Sequence, residues 1–426
     1  MSNLDQVIAS CLSDYDPNAV PVEDAAMIIR GFLTPVTHCE RVAVRDALGR
    51  VLGEDVLSTI NVPAHNNSAM DGYAVRASDL RADQPVVLKR IGEAFAGRSF
   101  GGTVRAGECV RVMTGAVMPA GADMVVVQEV THEVNGVVTI PPGPQAGDNM
   151  RFAGEDLALG KLAIAAGKLI RPAELGLIAS MGIGEVAVKR RLRVAFFSTG
   201  DELASIGRPL AAGQIYDSNR YTLHGMLTRL GCDAIDMGVV RDDPAALEAA
   251  LLDAAAIADV VITSGGVSVG EADFIRGLLT QLGDVAFWKI AMRPGRPMAF
   301  GRIGHTVGAP SFFGLPGNPV AVMVTFYAFV RDALLIMAGR TDAIALPRLQ
   351  VPSQAPLRKK PGRTEYQRGI VEQGADGRWS ARITGQQGSG VLRSMSEANC
   401  FVVLEHDRGN IAAGELVGVQ LMESLL

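Results

Sequence analysis

A chain of 426 residues with 48% hydrophobic and 20% charged residues reads as a globular protein too long for one ordinary core, so two to four domains are expected. A formal net charge of −5 argues against nucleic-acid binding as the main activity, which needs a basic surface; an anionic small ligand stays open, because one local Lys/Arg cluster serves for that. The five cysteines, Cys11, Cys39, Cys109, Cys232 and Cys400, are scattered and never spaced CxxC, which fits a reducing compartment and disfavours a disulfide framework or a structural zinc site. The first residues, MSNLDQVIAS, lack a basic region ahead of an apolar stretch, and no uncharged apolar run is read as a bilayer span. A cytoplasmic location, away from any membrane, is the expectation.

In chain order, residues 1 to about 20 are polar and expected to fray. Pro21 and the acidic residues after it suit the first turn of a helix reaching Phe32, with Ile28 and Ile29 inward. Residues 42–54 combine a strand-like run with a short helical turn, and Leu57 to Val62 leads into the polar loop His65 to Tyr73, whose Asp71-Gly72 turn leaves side chains free to bind. From about 74 to 150, short apolar runs at Val86, Cys109, Met124 and Val137, separated by glycine turns, predict a small β domain. Pro172 starts a helix that Gly182-Ile183-Gly184 ends.

From about 191 to 338 strands and helices alternate at βα spacing. Two β-branched runs stop abruptly in polar turns, Val194 to Phe197 into Ser198-Thr199-Gly200-Asp201-Glu202 and Val260 to Thr263 into Ser264-Gly265-Gly266; buried parallel strands open into ligand-binding loops in this way. Helices are expected over Asn219 to Leu230, capped by Asp217 or Ser218, over Pro244 to Ala256, over Glu271 to Leu282 and from Pro319 to about Met337. Residues 339 to about 350 read as a linker, and β-type runs at 363–370, 379–384, 401–404 and 416–421 predict a separate small β domain.

The loop Thr263 to Gly270, with three glycines and two serines, brings backbone N–H groups close to an anion, yet matches neither GxxxxGK[ST] nor GxGxxG, so neither a Walker NTPase nor a dinucleotide fold is indicated. A single loop carboxylate is ordinarily just solvated. Asp71, Asp156, Glu202, Asp242 and Asp273, all beside glycine or at predicted strand ends, are together candidates for hard-cation ligands, since Mg²⁺ favours carboxylate and water oxygens and bridges to phosphates. Lys289, Arg293 and Arg296 could neutralise a second anion. The six histidines form no HxH or HxxxH pair, which speaks against a zinc site or a hydrolytic triad.

Six stretches in order, Asn67-Ser68-Ala69-Met70-Asp71-Gly72-Tyr73-Ala74, Met113-Thr114-Gly115-Ala116, Gly154-Glu155-Asp156, Ser198 to Glu202, Ser264 to Gly270 and Gly314-Leu315-Pro316-Gly317-Asn318-Pro319, make the chain resemble the molybdopterin molybdenumtransferase family, the MoeA type related to the C-terminal domain of gephyrin. The resemblance runs from about residue 20 to the end. It implies a multidomain α/β plus β fold: a discontinuous N-terminal mixed domain (1–60 with 157–190), an inserted β-rich domain (61–156), a central MogA-like three-layer α/β domain with a mostly parallel sheet (191–338) and a C-terminal β-barrel domain (345–426). It implies insertion of molybdate into adenylylated molybdopterin, with Mg²⁺-dependent cleavage of the adenylate and release of AMP. It also implies a homodimer in which Asp71 and Thr114 of one subunit complete the site on the central domain of the other, and transient contact with a molybdopterin adenylyltransferase and with acceptor molybdoenzymes or cofactor-maturation proteins.

Carried over residue by residue, the catalytic positions are Asp71, Thr114, Asp156, Glu202, Asp242 and Asp273, with Glu202, Asp242 and Asp273 toward Mg²⁺. The substrate-binding positions are Ser198, Thr199, Gly200, Asp217, Asn219, Gly265, Gly266, Ser268, Lys289, Arg293, Arg296, Pro316, Asn318, Pro319, Arg363 and Ser389. Where relatives commonly carry two lysines after the equivalent of Lys289, this chain has Arg293 and Arg296, which keep the charge on a rigid fork and predict altered anion geometry or affinity. Two other readings share the fold. A molybdopterin adenylyltransferase would match the central domain alone, against which the chain's length argues; a gephyrin-like scaffold would have no use for the intact acidic set.

Overall fold

The computed structural model describes residues 19–266, 272–306, 308–342 and 344–422. Two compact units divide the chain: a smaller one, Arg41–Leu48 with Leu52–Val188, and a larger one, Met1–Glu40 with Gly49–Val51 and Lys189–Leu426.

The smaller unit is built on a six-stranded sheet of β1 (Gly72–Val75), β2 (Val86–Ala94), β3 (Glu108–Val112), β4 (Met124–Val127), β5 (His132–Val134) and β6 (Val137–Ile140), in the order β4-β1-β3-β2-β6-β5. Both faces are covered by core, since Tyr73, Val75 and Val126 join one apolar cluster while Ala74, Val110 and Val125 join another. The alternation is the period-two consequence of the pleat. Gly72 is required here by close approach: a Cβ on it would lie 2.1 Å from the carbonyl oxygen of Val126 on β4. A further cluster around Leu52, Ile164, Ile170 and Ile178 is closed by helix α1 (Pro172–Ser180). Pro172 occupies the first turn, where its missing N–H costs nothing, and Glu174 reaches back to accept the Arg171 backbone N–H at 3.0 Å.

The larger unit holds a second six-stranded sheet. Its strands are β7 (Arg193–Thr199), β8 (Asp233–Val240), β9 (Val260–Ser264), β10 (Gly283–Lys289), β11 (Pro297–Ile303) and β12 (Ser311–Leu315), ordered β8-β7-β9-β12-β11-β10. The first four are parallel; β11 and β10 join antiparallel. Val194 and Phe196 of β7 face one core with α2 (Ser218–Arg229) and the run of α5 (Pro319–Thr325), a π turn (Phe326–Val330) and α6 (Arg331–Met337). Ala195 and Phe197 face the other, with α3 (Pro244–Ile257) and α4 (Ala272–Leu282). This is a helix–sheet–helix sandwich with a mostly parallel sheet. Asp217 caps α2, its Oδ1 accepting the Arg220 N–H at 3.2 Å, and the stripe expected on that helix is buried at Leu223, Met226 and Leu227.

Past α6, β13 (Arg348–Pro352), β14 (Thr364–Gln373), β15 (Trp379–Ile383), the short helix α7 (Arg393–Glu397), β16 (Cys400–Leu404) and β17 (Leu416–Leu421) follow. The pairing runs Met292–Arg293, β14, β16, β17, β13; β15 flanks β14, and an isolated bridge joins Ser353 to Ala381.

Three features depart from the sequence reading. Strand β11 was not expected, because Pro297 and Gly301 punctuate it; Gly301 is needed, since a Cβ there would lie 2.0 Å from the Asp284 carbonyl oxygen of β10. Strand β13 begins inside the stretch read as a linker. The helical run Pro319–Met337 is long and apolar enough to cross a membrane, but it is mostly buried within the core of the unit. Among the described cysteines, Cys109 and Cys400 are buried, Cys39 and Cys232 are half-buried, and all are free. Burial pushes the thiols of Cys109, Cys232 and Cys400 up to about 12, which suits inert core residues.

Two tests follow from the smaller unit. Gly72→Ala should destabilise it by about 3 kcal/mol, because backbone must move to admit the methyl; a melting temperature within a degree of the parent would refute the close approach. The Glu174 carboxyl is held at about 2, against an ordinary 4.5, by Arg171 first and then Lys168. A carboxyl depressed on folding contributes stability above its unfolded pKa and loses it as pH falls through the folded one. Glu174→Gln should therefore flatten the acid limb between pH 4.5 and about 2 in a circular-dichroism titration, and an unchanged slope would count against the ion pair.

Candidate active site

Parallel pairing places Ser198 of β7 beside Ser264 of β9, and Ser264 beside Leu315 of β12, so three strands end at one level. Their loops, with the start of α2, border one cavity of about 1040 Å³ in the larger unit, at the carboxyl ends of the parallel strands where open α/β sheets bind ligands. Of the residues expected to bind or react, Thr199, Gly200, Glu202, Asp217, Asn219, Asp242, Gly265, Gly266, Arg293, Arg296, Pro316, Asn318, Pro319 and Ser389 line it.

Local chemistry explains how they are held. The Asn219 Nδ2 donates to Ser264 Oγ at 2.8 Å and to the Gly317 carbonyl at 2.6 Å, so one amide ties the start of α2 to the loops after β9 and β12. Buried Ser198 is absent from the lining; its hydroxyl donates to Asp217 Oδ1 at 3.0 Å and so supports a residue that is there. Arg220 pairs with Asp217 at 3.2 Å and with Asp236 at 3.0 Å, which keeps the Asp217 carboxylate compensated although it is only 1% exposed. Gly265 has φ +100° and lies so close to β7 that a Cβ would sit 2.6 Å from the Thr199 carbonyl oxygen. The loop can thereby turn its backbone toward the cavity.

Charge is distributed unevenly around the wall. Glu202 and Asp242 are exposed carboxylates at the ends of β7 and β8. Arg293 and Arg296 are exposed guanidinium groups on the loop after β10. Among the described residues no group of three or more His, Cys, Asp or Glu side chains is gathered as a metal cage. Two carboxylates still fit Mg²⁺, which takes one or two from the protein and fills its octahedron with water and phosphate oxygens. Lys289, exposed at the end of β10, and Arg363, paired with Glu365 at 2.9 Å, lie outside the lining. Ser268 and the side chain of Asp273 lie outside the described residues.

In the smaller unit, Asp71 and Thr114 meet directly. Asp71 Oδ1 accepts the Thr114 backbone N–H at 2.7 Å and its hydroxyl at 2.8 Å. These bonds, the backbone one foremost, hold the Asp71 carboxyl below its usual range. The backbone carbonyl of Asp71 accepts the Gln128 N–H at 3.0 Å, fixing the loop ahead of β1. Asp156 is exposed, its backbone N–H bonded to the Val62 carbonyl at 3.1 Å.

Sequence reasoning missed Gln387, which lines the cavity, and Arg368, which lies under that part of the wall at 1% exposure. A glycine-rich stretch, Gly385 to Gly390, was the only signal for Gln387; nothing in the sequence distinguished Arg368 from a surface arginine. Burial, and then the Arg293 cation, push the Arg368 guanidinium down to about 10.

Comparison with known proteins agrees along the whole chain. Residues 20–182 match the MoeA N-terminal region (domain I and II), residues 195–335 a probable molybdopterin binding domain, and residues 350–422 the MoeA C-terminal region (domain IV). The chain is similar to the molybdopterin molybdenumtransferase of Haemophilus influenzae, 43% identical over 391 residues that cover 92% of this chain and 95% of that protein. It is also similar to Dictyostelium discoideum gephyrin, 32% identical over 94% of this chain and 62% of gephyrin. The crystal structure of the molybdopterin biosynthesis moeA protein from Pyrococcus horikoshii superposes with a TM-score of 0.82 at 28% identity, covering 95% of this chain and all of that one. With this fold, this cavity and relatives matched over nearly their full length, the chain belongs to the molybdopterin molybdenumtransferase family.

Proposed function

We propose that this chain is a molybdopterin molybdenumtransferase that inserts molybdate into adenylylated molybdopterin and releases AMP. The observation that carries the reading is the single cavity in which two carboxylates, a glycine loop, two arginines and Ser389 share one wall. Its volume of about 1040 Å³ suits a pterin nucleotide rather than a simple oxyanion alone.

Roles follow from residue chemistry. The amides around Gly265-Gly266 and the start of α2 bind phosphate oxygens, because backbone N–H groups at a helix start carry partial positive charge. Asn318 and Asn219 orient the pterin or phosphate part. Arg293, Arg296 and Ser389 take the tetrahedral dianion, with Lys289 and Arg363 as further cations reachable by a moving substrate. Glu202 and Asp242, with Asp273, would hold Mg²⁺, which supplies Lewis-acid stabilisation to the phosphoanhydride oxygens when bound. Asp156 and the Asp71–Thr114 pair act from the inserted β domain, Asp71 entering as a charged carboxylate. A homodimer shares each site across subunits, the β-rich domain of one completing the cavity of its partner. The finer layout goes with this reading: the four domains bounded above, the last closing as a β-barrel through the Ser353–Ala381 bridge. Cytoplasmic delivery from an adenylyltransferase and onward to acceptor molybdoenzymes completes it. A scaffold using the same fold is disfavoured by the two carboxylates on the cavity wall, which binding of an apolar peptide would leave without purpose.

The test combines purified protein, adenylylated molybdopterin, Mg²⁺ and molybdate, following AMP alongside transfer of active cofactor to an apo-molybdoenzyme. AMP release that depends on molybdate and yields active cofactor is expected; pterin binding without AMP release would overturn the reading. Asp71→Ala should cut turnover by at least 100-fold with an unchanged melting temperature, as a loop carboxylate adds little to a core. Mixing Asp71→Ala with Glu202→Ala subunits should restore part of the activity, and verified heterodimers that stay inactive would refute a shared site.

A further inference from the structure

Arg368 is among the largest fully buried side chains of the chain, and the acceptors that hold it contain no carboxylate. Its guanidinium donates to the carbonyl oxygens of Gln386 (3.2 Å), Gln387 (3.2 Å) and Gly388 (2.9 Å), while Nε donates to Ser394 Oγ at 3.0 Å. Gln387 returns the grip: its Oε1 accepts the Arg368 backbone N–H at 2.8 Å and its Nε2 donates to the Thr384 carbonyl at 2.5 Å. The stretch 385–390 has no regular secondary structure of its own. Its carbonyls therefore have no ladder to enter, and the arginine fork satisfies three of them at once. The far end of the stretch is pinned by the Val320 N–H, which donates to the Ser389 carbonyl at 3.1 Å at the start of α5. Taking a cation out of water is costly unless its donors are used. These donors are used on a loop that contributes Gln387, Ser389 and Gly390 to the cavity wall.

We propose that Arg368 is a positioning residue: it holds the Gln386–Gly388 backbone so that Ser389 stands at its place on the cavity wall. Arg368 acts through the loop and not as a ligand, because its hydrogen bonds run to the loop and to Ser394 and its side chain is closed to solvent. Lysine keeps the charge but lacks the planar fork, so Arg368→Lys separates geometry from charge.

The kinetic arm of the test rests on the transferase reading above; the exchange arm does not. Amide exchange would be followed by fragmentation mass spectrometry at Val320 and Val391, whose acceptors are the Ser389 and Gly388 carbonyls. In Arg368→Lys both should exchange at least tenfold faster while β16 is unchanged, and KM for molybdate should rise about tenfold with kcat within threefold of the parent. Arg368→Lys with Ser389→Ala should be no worse than the worse single variant, since both act on one group. Unchanged exchange in a folded Arg368→Lys, or KM effects that multiply, would overturn the proposal. Should Arg368→Lys fail to fold, Ser394→Ala removes one acceptor and should shift both readouts the same way by a smaller factor; no shift overturns it equally. A parent protein without molybdate-dependent turnover would sink the transferase reading and leave the exchange arm to decide the role of Arg368.

Discussion

Parallel pairing of β7, β9 and β12 is the constraint on which the cavity depends. Parallel strands need crossover connections, so each carboxyl end opens into a loop on the same side of the sheet. The register that sets Ser198 beside Ser264 and Ser264 beside Leu315 brings three such loops to one height. The Asn219 amide then stitches two of them to the first turn of α2. Without that common level, Glu202, Gly265 and Asn318 would be three unrelated turn residues.

Charge is handled in two ways around this frame. The acidic groups Glu202 and Asp242 stay exposed, where a carboxylate keeps its hydration until a substrate arrives. The cations of the C-terminal sheet are partly built into the backbone: Arg368 holds the loop at the cavity wall, and Lys359, 5% exposed, donates to the carbonyls of Lys360, His406 and Arg408 at 3.0 to 3.1 Å. In both cases backbone dipoles replace a carboxylate, so the loops are stiffened while the local charge stays positive. The buried acid Asp217 follows the opposite course, compensated by Arg220 and by the Ser198 hydroxyl.

Much of the fold could be read in advance because its signals are local. Period-two and 3.6-residue patterning marked β7, β9, α2 and the helix from Pro319, and Asp217 was recognisable as a cap from its place before the apolar stripe. Strand β11 was hidden because Gly301 reads as a breaker, and its reason, the carbonyl of Asp284 on a neighbouring strand, is a tertiary fact. The site shows the same division. Most of the expected ligands do line one cavity, because they sit in turns that strand ends must make. Lys289 and Arg363 looked equivalent to Arg293 in sequence, yet one projects from a strand end and the other is taken by Glu365.

The sequence by itself determined which segments alternate as strands and helices, where the glycine turns fall and which loops carry acids, because backbone preference and apolar periodicity act over a few residues. Only the tertiary structure decided which of those groups share a wall, which cation is buried and which glycine must lack a side chain. Those outcomes turn on contacts between residues far apart in the chain, such as Gly72 against Val126, Asn219 against Gly317, and Arg368 against the loop around Gln387. Close packing settles them, and no local pattern records it.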